Sequence, residues 1–253
     1  MFRMPRLSAI IITKNEALNI AGCLDSVAFA DERIVVDSGS TDDTVAIAEG
    51  KGARVETHPF SGFGAQKNFA LSLARGDWVV AIDADERVTP ALAAAMQHAM
   101  AQPHADGYEM PRLSSFCGRF MKHSGWYPDY VLRLFRREQA RFSDDLVHER
   151  VICQGAVARL NEPLLHVPVI RLEDALSRVD RYSTANAEML VSAGRRVSFM
   201  SGIARGLYAF IKTYFLRGGF LDGREGFLLA VANAEGTYYK YMKAWLASRH
   251  DKR

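Results

Sequence analysis

Cysteine is scarce in this chain. Its 253 residues hold three, Cys23, Cys117 and Cys153. An odd number with no CxxC pair argues against a disulfide framework or a zinc cluster and fits a reducing, cytosolic setting. Long apolar runs are missing as well. The first, Leu7 to Ile12, is six residues long and leads straight into polar sequence, too short for a signal peptide or a membrane span. Neither charge dominates: 32 basic and 29 acidic residues leave a formal net charge of +3, so charge gives no reason to expect nucleic acid. The signatures of several nucleotide and hydrolase folds are absent too. The turn after the first predicted strand reads TKNEALN where a dinucleotide fold needs GxGxxG, and Gly62-Phe63-Gly64 lacks a third glycine. Neither a GxxxxGK loop nor a GxSxG elbow occurs, which removes the P-loop and the usual serine hydrolase.

What remains has the composition of a soluble globular protein, 49% apolar and 24% charged. The length suits one large domain or one with an appendage, at roughly 100–200 residues per domain. No internal repeat is visible.

Periodicity places the elements. Leu7–Ile12 predicts a buried strand, and Ala17, Ile20, Ala21, Leu24 and Ala28 recur at helical spacing, predicting a helix over 16–29. Arg33–Val36 predicts a strand, Thr41–Lys51 a helix ending at Gly52, and Ala53–Thr57 a third strand. Gln66–Ala74 predicts a helix with Gly76 past its end, and Trp78–Ile82 a fourth strand. Thr89-Pro90 then opens a helix as N-cap and first-turn proline. This alternation predicts an α/β fold with a doubly wound, mostly parallel sheet.

After about residue 105 the pattern changes to shorter strands, Gly107–Arg112, Val131–Phe135 and Ala156–Leu160, and from about Glu173 the chain reads as helical. The expected division is an α/β domain over 1–170 and a helical extension over 171–253. Residues 195–224 carry six basic residues against one acid, Asp222, with Phe and Tyr interleaved. That pattern describes either a basic amphipathic helix on an anionic membrane surface or an ordinary helix packed on the domain.

Ligands of parallel sheets collect beyond the C-terminal strand ends. Four polar clusters fall there: Thr13-Lys14-Asn15-Glu16, Asp37-Ser38-Gly39-Ser40-Thr41-Asp42, Gln66-Lys67-Asn68 and Asp83-Ala84-Asp85-Glu86. Each has a local explanation, since Thr13-x-x-Glu16 has capping-box spacing and Ser40 or Thr41 is placed to cap the second helix. Their convergence on one edge predicts a shared ligand site. Asp83 and Asp85, directly after a buried strand, suit Mg²⁺ or Mn²⁺, which take one or two carboxylates and complete their shell with phosphate.

With IIITKNE, VVDSGSTDDT, GFGAQKN, GDWVVAIDADERV and PDYVLRLF in order, the chain resembles the inverting glycosyltransferases of family 2. More narrowly it resembles the bacterial lipopolysaccharide inner-core β-1,4-glucosyltransferases; the likeness extends through VHE at 147–149 and RGGFLDGREGF. The resemblance implies a GT-A fold, a UDP-sugar donor, a divalent metal (Mg²⁺ or Mn²⁺) and a glycolipid acceptor at the cytoplasmic face of the inner membrane. Carried over by motif, Asp37 would pair with uracil near Thr13 and Glu16, with Asn15 and Ser38 beside them. Lys67 and Asn68 would lie by the nucleotide or its phosphates, and Asp83, Ala84 and Asp85 would form the metal motif, with His148 a further metal ligand. Inversion needs a carboxylate base, and two candidates exist, Asp129 and Glu149. Arg133 would meet the phosphates or pair with Asp129, and Trp126 would stack on a sugar or pack in the core. Seven basic residues over 112–142, against Asp129 and Glu138, suit an anionic acceptor or form a solvated face. Two further readings are another glycan, polyprenyl-phosphate or protein acceptor, and a non-catalytic membrane-surface protein on the same scaffold.

Overall fold

The computed structural model describes residues 5–143, 149–168, 171–195 and 197–250. The chain divides into two compact units, Met1–Arg112 with Asp129–His166, and Leu113–Pro128 with Val167–Arg253. The second unit takes in Leu113–Pro128, which the expected division placed with the α/β domain.

The first unit is built on β1 (Leu7–Thr13), β2 (Glu32–Asp37), β3 (Arg54–Thr57) and β4 (Trp78–Ala81), parallel strands in the order β3-β2-β1-β4. β5 is Glu86–Val88, and β6 (Gly107–Phe116) begins in this unit. β8 (Asp129–Arg136) lies antiparallel between β4 and β6, with β12 (Leu164–His166) between β6 and β5. β11 (Val157–Arg159) pairs with β6, and β9 (Ala140–Phe142) with β10 (Val151–Cys153) forms a separate ribbon.

Alternation along β1 sends Leu7, Ala9 and Ile11 to one face, where they meet α1 (Ile20–Ser26) and α4 (Pro90–Ala101) through Ile20, Leu24, Leu92 and Met96. Ile10 points the other way, with Ile34, Val36 and Val79, toward Ala70 of α3 (Phe63–Leu73). Two buried faces explain why these strands read as continuous apolar runs. Thr89 caps α4 as expected, accepting the Leu92 N–H at 3.1 Å.

Two predicted helices start late. α1 begins at Ile20 rather than 16, because the N–H groups of Asn15, Glu16 and Ala17 are bound by Ser40, Thr44 and Asp42. α2 (Thr44–Gly50) starts after Asp42, whose carboxylate holds the Thr44 N–H and hydroxyl. The capping box that the Thr13-x-x-Glu16 spacing offered as a local explanation does not form, since the Glu16 N–H goes to Thr44 Oγ1.

The second unit contains the outer half of β6 in a hairpin with β7 (Arg119–Phe120), then α5 (Leu172–Ser192), α6 (Phe199–Ile211) and α7 (Gly223–His250). Both α5 and α6 lie along α7. A π-turn at Lys212–Leu216 and a 3₁₀ turn at Gly219–Asp222 join α6 to α7. Inside this joint the Asp222 carboxylate, 2% exposed, accepts the backbone N–H groups of Lys122 and His123 at 3.1 and 3.0 Å and the Ser124 hydroxyl at 2.9 Å. α6 is an inverted amphipath. Its glycines face α7, where a Cβ on Gly202 would overlap the Met242 methyl and one on Gly206 would press on Tyr238. Its large apolar side chains, Met200, Ile203, Leu207 and Ile211, are exposed. Among the described residues no helix is long and apolar enough to cross a membrane.

Candidate active site

The parallel strands bring the polar clusters to one edge of the first unit. Thr13 stands opposite Asp37 at the ends of β1 and β2. Asn15 follows with φ of 56°, a left-handed conformation that asparagine tolerates better than most residues. There its Oδ1 accepts the Thr41 N–H at 2.8 Å, while its own N–H donates to Ser40 Oγ at 2.8 Å. Asp37 is 2% exposed and accepts from the N–H groups of Gly39 and Ser40 and from the Ser40 hydroxyl. Glu16 receives the Asn19 side-chain amide. Ser38 Oγ accepts from Gln66 Nε2 at 3.0 Å, tying the second cluster to α3. The Thr13 hydroxyl is buried with no partner among the described residues. Such a group costs about 1–3 kcal/mol unless something supplies the missing hydrogen bond, so its place at the mouth of the edge favours a ligand there.

Behind this edge runs a line of alternating charges. Lys67 Nζ lies 2.8 Å from Glu149 Oε1 and 2.9 Å from Asp83 Oδ1. The other Asp83 oxygen meets Arg133 at 2.5 Å, and the same guanidinium nitrogen reaches Glu86 at 2.7 Å. Glu86 is 3.7 Å from Arg112, which binds Asp129 Oδ2 at 2.6 Å. Both candidate bases, Glu149 and Asp129, are therefore ends of one network, with Asp83 near its middle. Burial acts to raise the Asp83 pKa, but Arg133 and then Lys67 outweigh it and hold the carboxyl well below its ordinary range. At the fully buried Glu86, burial prevails over the pull of Arg133 and pushes the pKa up.

This arrangement separates residues that the sequence had grouped. Asp83 and Asp85 were both expected to hold metal, yet both Asp83 oxygens are occupied by cations. Asp85 instead lies 3.4 Å from His166 Nε2. One carboxylate and one imidazole leave most of a coordination shell for phosphate oxygens, so the donor set fits Mg²⁺ or Mn²⁺. Among the described residues no cluster of three or more metal-ligating side chains occurs. His148 lies outside the described residues. Asn68, expected beside the nucleotide, instead clasps β9: its amide donates to the Phe142 carbonyl and accepts the Phe142 N–H, at 3.0 and 2.9 Å. Ala84 is buried, and its carbonyl accepts from Arg87. Arg133, expected to meet the phosphates or Asp129, is held by Asp83 and Glu86; Arg112 takes the place at Asp129. His166 escaped the sequence reading, since a lone histidine in a short strand some eighty residues from Asp85 carries no spacing signal.

Residues 8–160 match the profile of glycosyl transferase family 2. The chain belongs to that family. Family 2 membership makes it a glycosyltransferase, and relatives agree along nearly its whole length. A lipopolysaccharide core biosynthesis glycosyltransferase, LpsC of Rhizobium meliloti, is 31% identical over 94% of this chain and 90% of its own. An uncharacterized glycosyltransferase of Rickettsia felis is 33% identical over 95% of this chain and 89% of its own. Among solved structures, glucosyl-3-phosphoglycerate synthase of Mycobacterium tuberculosis, crystallised with Mn²⁺, UDP and glucosyl-3-phosphoglycerate, superposes with a TM-score of 0.50. It is 21% identical over 77% of this chain and 82% of that one, a likeness of GT-A fold.

Proposed function

We propose that this family 2 enzyme transfers a sugar, glucose being the expected one, from a UDP-sugar to a lipopolysaccharide inner-core acceptor, a heptose hydroxyl, with inversion. The observation that carries the reading is the charge network at the strand ends, which offers cations and carboxylates to a diphosphate and a nucleophile together. The LpsC relative supports the choice of acceptor.

In this reading the uridine rests at Thr13, Asn15, Glu16, Asp37 and Ser38, where the unpartnered Thr13 hydroxyl gains a hydrogen bond. Lys67 contributes positive charge beside the diphosphate, with Arg133 behind it on Asp83 and Glu86. Asp85 and His166 would hold a divalent cation, which would supply Lewis-acid stabilisation of the leaving group. Asp129 acts as base. Its Oδ2 takes both Arg112 bonds, leaving Oδ1 without a partner among the described residues, and its side chain is 47% exposed against 18% for Glu149. The acceptor hydroxyl gives its proton to Asp129 as its oxygen bonds to the anomeric carbon and the bond to the diphosphate oxygen breaks, releasing UDP. Asp83 positions Lys67 and Arg133.

The acceptor is a glycolipid, and the reading places the enzyme on the cytoplasmic face of the inner membrane. The exposed apolar stripe of α6 supports this, since residues 195–221 contain Arg195, Arg196, Arg205, Lys212 and Arg217 and no acid. Such a face suits an anionic lipid surface.

The test is UDP release across a panel of nucleotide sugars with Mn²⁺, paired with donor-induced thermal shifts. Asp85→Ala should lower kcat/KM about a thousandfold, as loss of several kcal/mol of charge stabilisation implies. Asp129→Asn should cost about 10²–10⁴-fold in kcat with UDP binding retained. Undiminished turnover in Asp85→Ala would overturn the metal assignment, and loss confined to Glu149→Gln would move the base there.

A further inference from the structure

The helical unit has a groove of its own, about 440 Å³, between α5 and α7, a size typical of small-molecule sites. Its floor is aromatic: Trp126 meets Phe116 edge-to-face with centroids 5.8 Å apart. Its walls carry Arg178, Asn186, Asn233 and Lys240, and no acidic residue lines it. The two cations are half-buried, and neither has a carboxylate partner among the described residues. One guanidinium nitrogen of Arg178 donates to the Pro168 carbonyl at 2.6 Å, while Lys240 lies 5.8 Å from the Tyr241 ring. Half-buried positive charge without a counter-charge is placed to receive an anion.

The amides are set for hydroxyl groups. Asn186 Nδ2 donates to the Tyr182 carbonyl at 2.8 Å and Asn233 Nδ2 makes a long 3.4 Å contact to Thr213. Both amide oxygens are without partners among the described residues, so each can accept from a ligand O–H. An aromatic floor for the apolar face of a pyranose, amide acceptors for its hydroxyls and two cations for an attached anion describe one ligand chemistry. An acyl chain would leave those amides and cations unmatched.

We propose that the α5–α7 groove binds an anionic saccharide, a sugar ring bearing phosphate or carboxylate, as the recognition element of the acceptor. Naming the acceptor as its source rests on the transferase reading; the binding chemistry does not. Trp126, which sequence left between stacking and packing, then does both, meeting Phe116 edge-to-face and lining the groove that takes the sugar.

The experiment is calorimetric titration of the full chain with mannose 6-phosphate as probe, with mannose, inorganic phosphate and phosphatidylglycerol vesicles as comparators. The sugar phosphate should bind at least about ten times more tightly than mannose or inorganic phosphate, since it alone engages the rings and the cations together. Arg178→Ala and Lys240→Ala should each weaken it about tenfold and leave UDP affinity unchanged; Arg178→Gln and Lys240→Gln should do the same if the alanine variants fold poorly. Three results would overturn the proposal: mannose binding as tightly, inorganic phosphate binding as tightly, or all four variants binding like wild type. Displacement of the sugar phosphate by vesicles would assign the groove to lipid and overturn it too. Absence of UDP binding beside intact sugar-phosphate binding would instead break the transferase reading, so the two failures are separable.

Discussion

The candidate site of the α/β unit and the groove and α6 surface of the helical unit manage charge in opposite ways. In the α/β unit every cation of the candidate site has a carboxylate: Lys67 has two, Arg133 has two, and Arg112 holds Asp129. Along the groove, α6 and its joint to α7 in the helical unit, Arg178, Arg205, Lys212, Arg217 and Lys240 have none among the described residues, although Lys243 elsewhere in that unit pairs with Asp180 at 2.7 Å. Apolar surface follows the same division. The sheet buries its apolar side chains on both faces, while α6 turns glycines inward and large side chains outward. A self-compensated network is rigid and ready before a ligand arrives, which suits a site that must orient a diphosphate and a base. Uncompensated cations beside exposed apolar groups are suited to a partner that brings both negative charge and apolar surface. The difference fits the proposed reading, with donor chemistry in one unit and acceptor and surface recognition in the other.

Removing charge from each unit in turn gives the largest contrast. Arg133 is 7% exposed and is shared by Asp83 and Glu86. Arg133→Met leaves two carboxylates without their common cation and should destabilise the protein by about 3–5 kcal/mol. Arg178→Met removes an unpaired cation and should change stability by no more than about 0.5 kcal/mol. Urea unfolding of both variants checks the contrast. Equal losses would show that the helical unit depends on its cations for folding.

A buried carboxylate of the helical unit behaves like those of the α/β unit, and it sharpens the comparison. Asp222 is buried and satisfies two backbone N–H groups and a hydroxyl, so Asp222→Ala should cost about 3 kcal/mol. Asp222→Asn keeps an acceptor oxygen and should cost less. Thermal unfolding separates them, and a silent alanine variant would mean that solvent replaces the carboxylate. RGGFLDGREGF is thereby explained as a joint: Asp222 clamps residues 122–124, and Gly226 comes so close to the Gly219 carbonyl that no side chain fits.

Much of this was legible in the sequence, and the illegible parts share a cause. The strands β1, β2 and β4 announced themselves because both faces are buried, and Thr89-Pro90 marked α4 through local chemistry. The convergence of the polar clusters on one sheet edge was legible because parallel strands must end on a common edge. Hidden were features made by contacts far apart in sequence. α1 starts late because Ser40, Asp42 and Thr44 bind its approach. Asp83 became an ion-pair hub because Lys67 and Arg133 arrive from other elements, and His166 reaches Asp85 from the end of β12. Residues 113–128 join the helices although strand-like pattern surrounds them. Nothing local in Asn68 showed that its amide would be claimed by β9.

The smallest expected effect on stability carries the most information about the helical surface. Leu207 stands on the outer stripe of α6, 61% exposed, so Leu207→Asp should alter unfolding free energy by no more than about 0.5 kcal/mol. On a membrane the same change removes a side chain whose burial is worth about 1.5–3 kcal/mol and adds a negative charge facing anionic lipid. Co-sedimentation with phosphatidylglycerol vesicles should therefore fall at least about tenfold in affinity while UDP binding in the other unit is unchanged. Ile203→Asp, one turn earlier on the stripe, should repeat the result. Unchanged sedimentation in both variants would remove α6 as the lipid-facing element, and its exposed Met200, Ile203, Leu207 and Ile211 would then have to meet a protein surface.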